Sequence, residues 1–123
     1  MAHYIDGFVI PVPRKKMSAY RRMAQKGAKI WRDHGALDYK ECVGDDLNVH
    51  CGLPFPRGIK TRAGETVVFS FIVYKSRSHR DSVNKKVMAD PRINEICDLK
   101  GMPFDCERML YGGFKTIVEM SRA

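Results

Sequence analysis

The segment Glu65–Lys75 constrains the fold of this chain more than any other. It is rich in β-branched and aromatic residues and contains no proline or glycine, so it is predicted to form a strand. Side chains alternate between the two faces of a strand, and here both faces are largely apolar. They carry Val67, Phe69, Phe71 and Val73 on one side and Thr66, Val68, Ser70, Ile72 and Tyr74 on the other. Both faces need cover, because each large apolar side chain left in water forgoes roughly 1.5–3 kcal/mol.

In the rest of the chain, hydrophobic periodicity and turn residues predict further helices and strands. They are predicted as the strand Tyr4–Val12, a helix from Pro13 to Gly35, the strand Ala36–Asp45, a helix from Ser78 to Asp90, a short helix over 91–98 and the strand Arg108–Met120. Ser78 and Asp81 resemble a capping box. The long connection 44–64 is predicted to cover a pocket or to reach a partner chain.

This order of elements predicts one ferredoxin-like βαββαβ domain over residues 1–123. Such an α+β domain has a four-stranded antiparallel sheet with two helices on one face. The helices cover one face of Glu65–Lys75, and a second copy of the chain is the simplest cover for the other. We therefore predict a homodimer through the sheet face. The sequence does not decide which face of the strand meets the partner.

Charge and hydropathy narrow the class of protein. The net charge of +8 permits contact with polyanions, but the basic residues form no uninterrupted block, so nucleic acid is not the expected partner. A basic RNA-binding or regulatory protein is kept as the alternative. The chain contains no apolar run long enough to cross a membrane and no secretory signal at its start. We expect a cytoplasmic protein without a membrane partner.

The cysteines give no sign of a metal site or a disulfide. They are Cys42, Cys51, Cys97 and Cys106, and no two of them form a Cys-x-x-Cys pair. They are interpreted as small buried hydrophobes or surface thiols. No metal and no cofactor are predicted.

Three residues are candidates for chemistry in a pocket between the helices and the sheet. His79 is a candidate general base, and Arg80 is a candidate binder of an anionic oxygen. Glu41 is an acidic residue on an otherwise apolar strand face, where it pairs with a basic group or lies at a sheet margin. The alternative is that His79 and Arg80 are exposed residues of the first helical turn.

Five more residues are candidates for ligand binding because they stand near the ends of predicted elements. They are His34, Tyr74, Asn84, Asp105 and Arg108. Asn84 follows Arg80 by one helical turn, so both can face the same pocket. His34 has the alternative of a helix C-terminal residue favoured by the helix dipole. The bound molecule is expected to be a small organic compound, with cofactor-independent chemistry as a further possibility.

Several stretches together resemble a known family. They are Tyr4–Pro13, Trp31–Leu37, Glu41–Asp46, Val73–Asp81, Met88–Pro91, Met102–Asp105 and Arg108–Phe114. The chain resembles the YbaA-like family of uncharacterised bacterial proteins over almost its whole length. The resemblance implies a dimeric α/β-barrel, ferredoxin-like fold, and it supplies no activity to carry over.

Overall fold

The computed structural model of the protein describes residues 2–96 and 101–122. Within these ranges the strands are β1 (Tyr4–Pro13), β2 (Asp38–Val43), β3 (Glu65–Tyr74) and β4 (Leu110–Lys115). The α-helices are α1 (Met17–Asp33), α2 (Phe55–Ile59), α3 (Arg77–Ala89) and α4 (Ile93–Ile96). Single 3-10 turns cover Arg14–Lys16 and Cys106–Arg108.

The strands form one antiparallel sheet in the order β2-β3-β1-β4. β1 and β3 pair along their whole length, from Tyr4 opposite Tyr74 to Pro13 opposite Glu65. β2 lies at the outer edge of β3, and β4 lies at the outer edge of β1. With α1 and α3 as the crossover helices, this is the predicted ferredoxin-like α+β fold.

β3 has one face that the helices cover completely. Thr66, Val68, Ser70, Ile72 and Tyr74 are all buried. Helix residues from α1, α3 and α4 pack on this side, and β1 adds further apolar side chains to it. The helices therefore cover the face that contains Ile72 and Tyr74, which answers the question that the sequence left open.

The opposite face of the sheet is apolar and mostly uncovered, and we call it the open face. The registers of β1, β3 and β4 place on it Ile5, Val9, Phe69, Phe71, Val73, Leu110 and Phe114. The edge strand β2 adds Asp38, Lys40 and Cys42. Phe69 is 45% exposed. One end of this face does have cover from the same chain, because Phe55 of α2 contacts Phe69 edge to face at 6.4 Å between ring centroids. The expectation that nothing in the chain covers this face is therefore wrong at that end.

α1 buries a narrow stripe, as its sequence predicts. Tyr20, Ala24, Gly27 and Ile30 are buried and stand three or four residues apart. Gly35 follows the helix with a φ of +110°, a conformation that glycine adopts readily. The predicted helix and its ending are confirmed, except that its first turn is a 3-10 turn.

Two predicted details at the ends of elements are wrong. The N-cap of α3 is Ser76, whose Oγ accepts a hydrogen bond from the backbone N–H of His79, and not Ser78. β4 ends at Lys115 and not at Met120, and its ladder with β1 ends where Tyr4, the first residue of β1, lies opposite Lys115.

Other details were missing from the prediction or lie outside the described residues. The connection 44–64 contains α2, which follows Pro54 and includes Pro56 and Gly58. The short helix predicted over 91–98 is described as far as Ile96, and the inward position predicted for Cys97 lies outside the described residues. Cys42 and Cys51 are exposed free thiols, and Cys106 is half-buried.

No helix in the described part of the chain is long and apolar enough to span a membrane.

Candidate functional site

A cavity of about 460 Å³ lies between the helices and the covered face of the sheet. Its wall is largely aromatic and aliphatic, with methionine at several points. The apolar lining includes Phe8, Met23, Trp31, Ile72, Met88, Ile96, Met102, Phe104 and Met109. The polar lining consists of Asp6, Tyr20, Tyr39, Glu41, Ser70, Asn84 and Tyr111. The cavity therefore combines an apolar interior with two carboxyl groups in its wall.

Glu41 occupies one side of this cavity. β2 carries it beside β3, where it stands opposite Ser70 on the covered face. The Tyr20 hydroxyl donates a hydrogen bond to Glu41 Oε1 at 2.7 Å, and the Tyr39 hydroxyl donates one to Oε2 at 2.8 Å. Each carboxylate oxygen thus has its own tyrosine donor.

The environment of Glu41 favours its neutral form. Burial raises the pKa of Glu41 above its usual 4.5, while hydrogen bonds from Tyr20, Tyr39 and Ser70 act in the opposite direction. Burial and the nearby Glu41 carboxylate also raise the pKa values of Tyr20 and Tyr39. The two tyrosines therefore remain proton donors when Glu41 is ionised.

A glycine on α1 allows this arrangement. A Cβ atom at Gly27 would lie 3.2 Å from the hydroxyl of Tyr39, which is tight for a non-bonded contact. The absence of a side chain at Gly27 lets the Tyr39 hydroxyl approach the helix while it reaches Glu41.

Asp6 occupies the other side of the cavity, on β1. Its side chain is buried, and its Oδ1 accepts a hydrogen bond from Arg80 Nη1 at 2.8 Å. Burial raises the pKa of Asp6, and the charge and hydrogen bond of Arg80, with the neighbouring polar groups of Asn84 and Tyr74, oppose that rise. The pair is largely desolvated, since the two side chains are only 13% and 2% exposed.

Arg80 has further partners that hold its guanidinium in place. Nη1 also donates to the Tyr111 hydroxyl at 3.3 Å, and Nε donates to Asp81 at 2.8 Å. The guanidinium stacks over the Tyr4 ring at 5.0 Å. Asp6 and Asp81 therefore balance the charge of Arg80 locally.

Asn84 joins the polar groups on this side. Its Oδ1 accepts hydrogen bonds from Trp31 Nε1 at 3.1 Å and from the Tyr74 hydroxyl at 3.3 Å. Burial and the neighbouring Asp6 carboxylate raise the pKa of Tyr74. The side chains from α1, β1, β3 and α3 form one hydrogen-bonded cluster, which we call the Asp6 cluster: Asp6, Trp31, Tyr74, Arg80 and Asn84.

The structure brings four of the predicted site residues to the cavity or next to it. Glu41 and Asn84 line the cavity. Tyr74 and Arg80 stand directly behind the wall and bond to Asn84 and Asp6. An anionic ligand of Arg80, as predicted from the sequence, would have to compete with Asp6 for its guanidinium.

His79 is placed differently from its predicted role. Its Nδ1 accepts a hydrogen bond from the backbone N–H of Lys75 at 2.9 Å, and the residue is not among those that line the cavity. Burial, with smaller contributions from Lys75 and Lys86, lowers the pKa of His79. In this position His79 stabilises the turn between β3 and α3.

The other three predicted residues form contacts away from the cavity. His34 Nε2 contacts Asp90 Oδ2 at 2.8 Å, which ties the end of α1 to the end of α3. Arg108 forms a two-point ion pair with Glu65, with distances of 2.7 and 2.8 Å. Asp105 accepts a hydrogen bond from the backbone N–H of Glu107 and caps a 3-10 turn.

Sequence reasoning missed Asp6, Tyr20 and Tyr39 as site residues. Asp6 had a detectable signal, because it lies on the same strand face as Phe8 and Ile10, where a carboxylate is out of place. The tyrosines had none, since a tyrosine on an apolar helix stripe or strand face is common in protein cores. No three His, Cys, Asp or Glu side chains within 2–96 and 101–122 are grouped so as to hold a metal ion.

Fold and cavity together define the class of protein, a ferredoxin-like α+β protein with a cavity between helices and sheet that contains two carboxyl groups in its wall. The model of a family described as a protein of unknown function, DUF1428, matches residues 3–106, and the chain belongs to this family. It is 44% identical over 116 residues to the uncharacterized protein YbaA of Escherichia coli strain K12 and to its namesake in Shigella flexneri. These alignments cover 94% of this chain and 97% of each relative. The resemblance to the YbaA-like family is confirmed.

Two solved structures are similar in fold at low sequence identity. Both are described as dimeric ferredoxin-like proteins from an uncultured marine organism. One aligns with a TM-score of 0.59 at 12% identity, and the other with a TM-score of 0.61 at 8% identity. Each alignment covers 99% of this chain and 100% of the other. The ferredoxin-like fold is confirmed.

Proposed function

We propose that residues 1–123 form a single ferredoxin-like domain that assembles into a homodimer through the open face. In this proposal each protomer binds a small, largely apolar organic molecule in the cavity between its helices and its sheet. The observation that carries the proposal is the cavity of about 460 Å³ with Glu41 and Asp6 in a largely apolar wall.

The apolar character of the open face supports the dimer. Large apolar side chains from β1, β3 and β4 meet there, and Phe69, Leu110 and Phe114 are all exposed in a single chain. Contiguous apolar patches of more than a few hundred Å² are rare on soluble monomers. The two ferredoxin-like proteins of similar fold are described as dimeric. A second open face has the matching hydrophobicity to cover this one.

The size and the lining of the cavity support a small-molecule ligand. Its volume falls in the range of about 300–1,000 Å³ that is usual for such sites. Aromatic rings and methionine side chains make a polarizable wall that suits a planar or branched apolar compound. Glu41 and the Asp6 cluster can then orient a polar group at each side of the ligand.

Proton transfer is the chemistry that Glu41 offers to such a ligand. A buried carboxyl group with a raised pKa accepts and returns a proton near neutral pH more readily than an exposed one. Tyr20 and Tyr39 hold both oxygens of Glu41 in fixed positions. If a molecule that co-purifies has an acidic C–H bond, wild-type protein in D₂O should exchange that hydrogen, and Glu41→Gln should not.

The binding proposal is tested with N-phenyl-1-naphthylamine, an uncharged fluorescent probe of apolar sites. Wild-type protein should bind one probe per protomer in the cavity. Ala24→Leu places a larger side chain on a cavity-lining position of α1 and should weaken binding at least about tenfold. Ala28→Leu is the matched control on the same helix, because Ala28 does not line this cavity.

The outcomes distinguish probe binding in the cavity from probe binding to other apolar surfaces. Equal probe binding by wild type, Ala24→Leu and Ala28→Leu would contradict a ligand site in the cavity. Mass spectrometry of organic extracts from natively purified wild type and Ala24→Leu adds an independent readout. A compound present at one per protomer in the wild type and absent from Ala24→Leu would identify the natural ligand class.

One observation favours the second candidate, a basic RNA-binding protein. The segment 14–32 contains eight lysine and arginine residues and no aspartate or glutamate, and the net charge of the whole chain is +8. The remainder of the chain is therefore neutral overall, and the excess charge follows the outer side of α1. RNA binding should weaken steeply with added salt and with the combined substitutions Arg22→Gln and Lys26→Gln. RNA binding that is insensitive to both changes would contradict this function.

A further inference from the structure

The segment after β4 exposes several large apolar side chains to water. Ile117, Val118 and Met120 are 92%, 86% and 94% exposed. Nearly complete exposure of three large apolar side chains within four residues is costly in water. This segment, residues 116–120, is called the C-terminal segment below.

Contacts with the start of β1 fix the position of the C-terminal segment. The backbone N–H of Thr116 donates to the carbonyl of His3 at 3.2 Å, and the Thr116 hydroxyl donates to the same carbonyl at 2.8 Å. The backbone N–H of His3 donates to Glu119 Oε1 at 3.0 Å. The exposed apolar side chains are therefore held at a defined place on the molecule.

No described strand of the same chain lies beside the C-terminal segment. The β1–β4 ladder ends with Tyr4 opposite Lys115, and the bonds between His3 and Thr116 add one more step. Thr116, Ile117 and Val118 are β-branched and favour an extended backbone. The sequence of the segment thus favours a strand at a point where no described strand of the same chain can pair with it.

β2 forms the other edge of the sheet and is open to an added strand. It pairs with β3 on one side, and no described strand pairs with its other side. Leu37, just before β2, and Val43, at its end, are both exposed. Exposed edges of this kind accept strands from other chains.

The registers place these two features at the same end of the sheet. Lys115 lies opposite Tyr4, Tyr4 lies opposite Tyr74, and Asp38 lies opposite Val73. Suppose that two open faces pack together about a two-fold axis parallel to the strands. β4 of one protomer then lies beside and antiparallel to the partner's β2, with Lys115 near the partner's Asp38.

We propose that the C-terminal segment of each protomer docks on the β2 edge of its partner, next to the partner's Leu37 and Asp38. Its apolar side chains cover the partner's Leu37, and its backbone adds to the partner's sheet. This inference rests on the homodimer proposed above and adds a specific contact to it.

The first test removes residues 117–123 from the full chain and leaves Thr116 and its bonds to His3 in place. Hydrogen exchange of the backbone amides in segment 36–38 is compared at a concentration where both proteins are dimers. The truncated dimer should exchange these amides at least about tenfold faster, and its dissociation constant should rise at least about tenfold. Unchanged exchange over 36–38 in an intact truncated dimer would overturn the docking and leave the dimer standing.

The second test keeps the full chain and traps the contact as a disulfide between protomers. The four native cysteines are replaced by serine, and Ile117→Cys is combined with Leu37→Cys, because strand alternation puts both side chains on the same face of the extended sheet. Mild oxidation should give a covalent dimer, because the two thiols meet across the interface. Ile117→Cys combined with Arg22→Cys, on the outer side of α1, is the matched control and should stay uncrosslinked.

The remaining outcomes also decide the question. Equal crosslinking of the test pair and the control pair, or none with the test pair in a dimer, overturns the docking. A wild-type chain that is monomeric at micromolar concentration overturns both the docking and the dimer. The two failures are therefore distinguishable.

Discussion

The two faces of the sheet differ in how their polar and apolar groups are placed. The covered face is a largely apolar core, yet it contains Asp6, Glu41 and Ser70, all in the cavity wall. On the open face β1, β3 and β4 carry large apolar side chains, of which Phe69 is 45% exposed, and the charged residues Asp38 and Lys40 lie on the edge strand β2. Polar groups in a core and large apolar groups in water both run against the usual distribution. This difference supports the proposed ligand site on the covered face and the proposed partner on the open one.

Burying polar groups on the covered face costs stability, which explains why these groups are hydrogen-bonded. A buried carboxylate without partners costs several kcal/mol. Among the described residues, every fully buried side-chain nitrogen and oxygen has a hydrogen-bond partner. An apolar core of the same volume would avoid this demand, so the retained polar groups are consistent with the proposed ligand site.

The sharpest comparison of the two faces uses one substitution at two positions of β3. Ile72→Asp introduces a charge on the covered face and should prevent folding, with a loss of more than roughly 4 kcal/mol. Phe69→Asp introduces the same charge on the open face and should give a folded monomer. Circular dichroism and sedimentation velocity measure the two effects. Phe69 suits this test better than Phe71, because Phe69 is exposed and Phe71 is half-buried.

Two results would break this comparison. A Phe69→Asp protein that unfolds as Ile72→Asp does would mean that both faces are core of a single chain. A Phe69→Asp protein that stays dimeric would place the dimer interface elsewhere.

The second largest effect should come from Arg80→Met, which removes the charged partner of Asp6. The expected loss is about 3 kcal/mol at pH 7, because Asp6 keeps only neutral hydrogen-bond donors. The folded protein holds the Asp6 pKa above its unfolded value of 3.8 even with Arg80 present. A raised pKa means that the folded state takes up the proton first as the pH falls. The stability deficit of Arg80→Met should therefore shrink as the pH falls from 7 toward 4.

Urea denaturation at a series of pH values measures this deficit. Glu65→Gln is a useful control, because Arg108 lowers the pKa of Glu65 to about 2. Its deficit should persist from pH 7 down to about pH 4.5 and vanish only as the pH approaches 2. A deficit of Arg80→Met with the same pH dependence as that of Glu65→Gln would contradict the buried ion pair.

A smaller effect is expected from Glu41→Gln, which removes the ionisation of the cavity's second carboxyl group. Burial raises the pKa of Glu41 above 4.5 in the folded state, so its ionised form weakens folding at neutral pH. The stability of the wild type relative to Glu41→Gln should rise by on the order of 1 kcal/mol as the pH falls through the folded pKa to 4.5. It should be constant below that pH.

Thermal unfolding of both proteins between pH 4 and pH 8 checks this prediction. Asp33→Asn is a suitable comparison, because Arg92 lowers the pKa of the exposed Asp33 and the sign is reversed. A difference between wild type and Glu41→Gln that does not vary with pH would remove the argument for Glu41 as a proton acceptor.

The smallest effect on stability is expected from Gly27→Ala. Alanine favours a helix by about 1 kcal/mol over glycine, but its methyl group would lie 3.2 Å from the Tyr39 hydroxyl. The net change in stability should stay within about 1 kcal/mol, while the Tyr39 bond to Glu41 weakens. Carbon-13 NMR of the Glu41 carboxyl group should then report a higher pKa than in the wild type. An unchanged Glu41 pKa would mean that Tyr39 adjusts without losing its bond.

The sequence was sufficient to predict the fold because the strongest patterns are local. The alternation along Glu65–Lys75 and the helical stripe from Tyr20 to Ile30 depend on residues close together in the chain. Glu41 was recognisable for the same reason, as a carboxylate among apolar neighbours on a strand. Element ends were harder to predict, and β4 ends at Lys115, where its ladder with β1 reaches Tyr4.

The parts of the site that escaped prediction depend on contacts between distant residues. Asp6 and Arg80 are 74 positions apart, so no local sequence pattern indicates that they form a pair. His79 looked like a general base because it starts a helix, yet its ring accepts a bond from the Lys75 backbone and stays outside the cavity. The serine that caps α3 differed from the predicted one by two positions, which periodicity alone does not resolve.

Sedimentation equilibrium of the wild-type chain at low micromolar concentration tests the central claim most directly. The claim is that a second copy of the chain covers the open face. The account predicts a single species with twice the chain mass of 14.1 kDa. A stable species of 14.1 kDa across the concentration range would contradict it, because the apolar side chains of the open face would then remain in water.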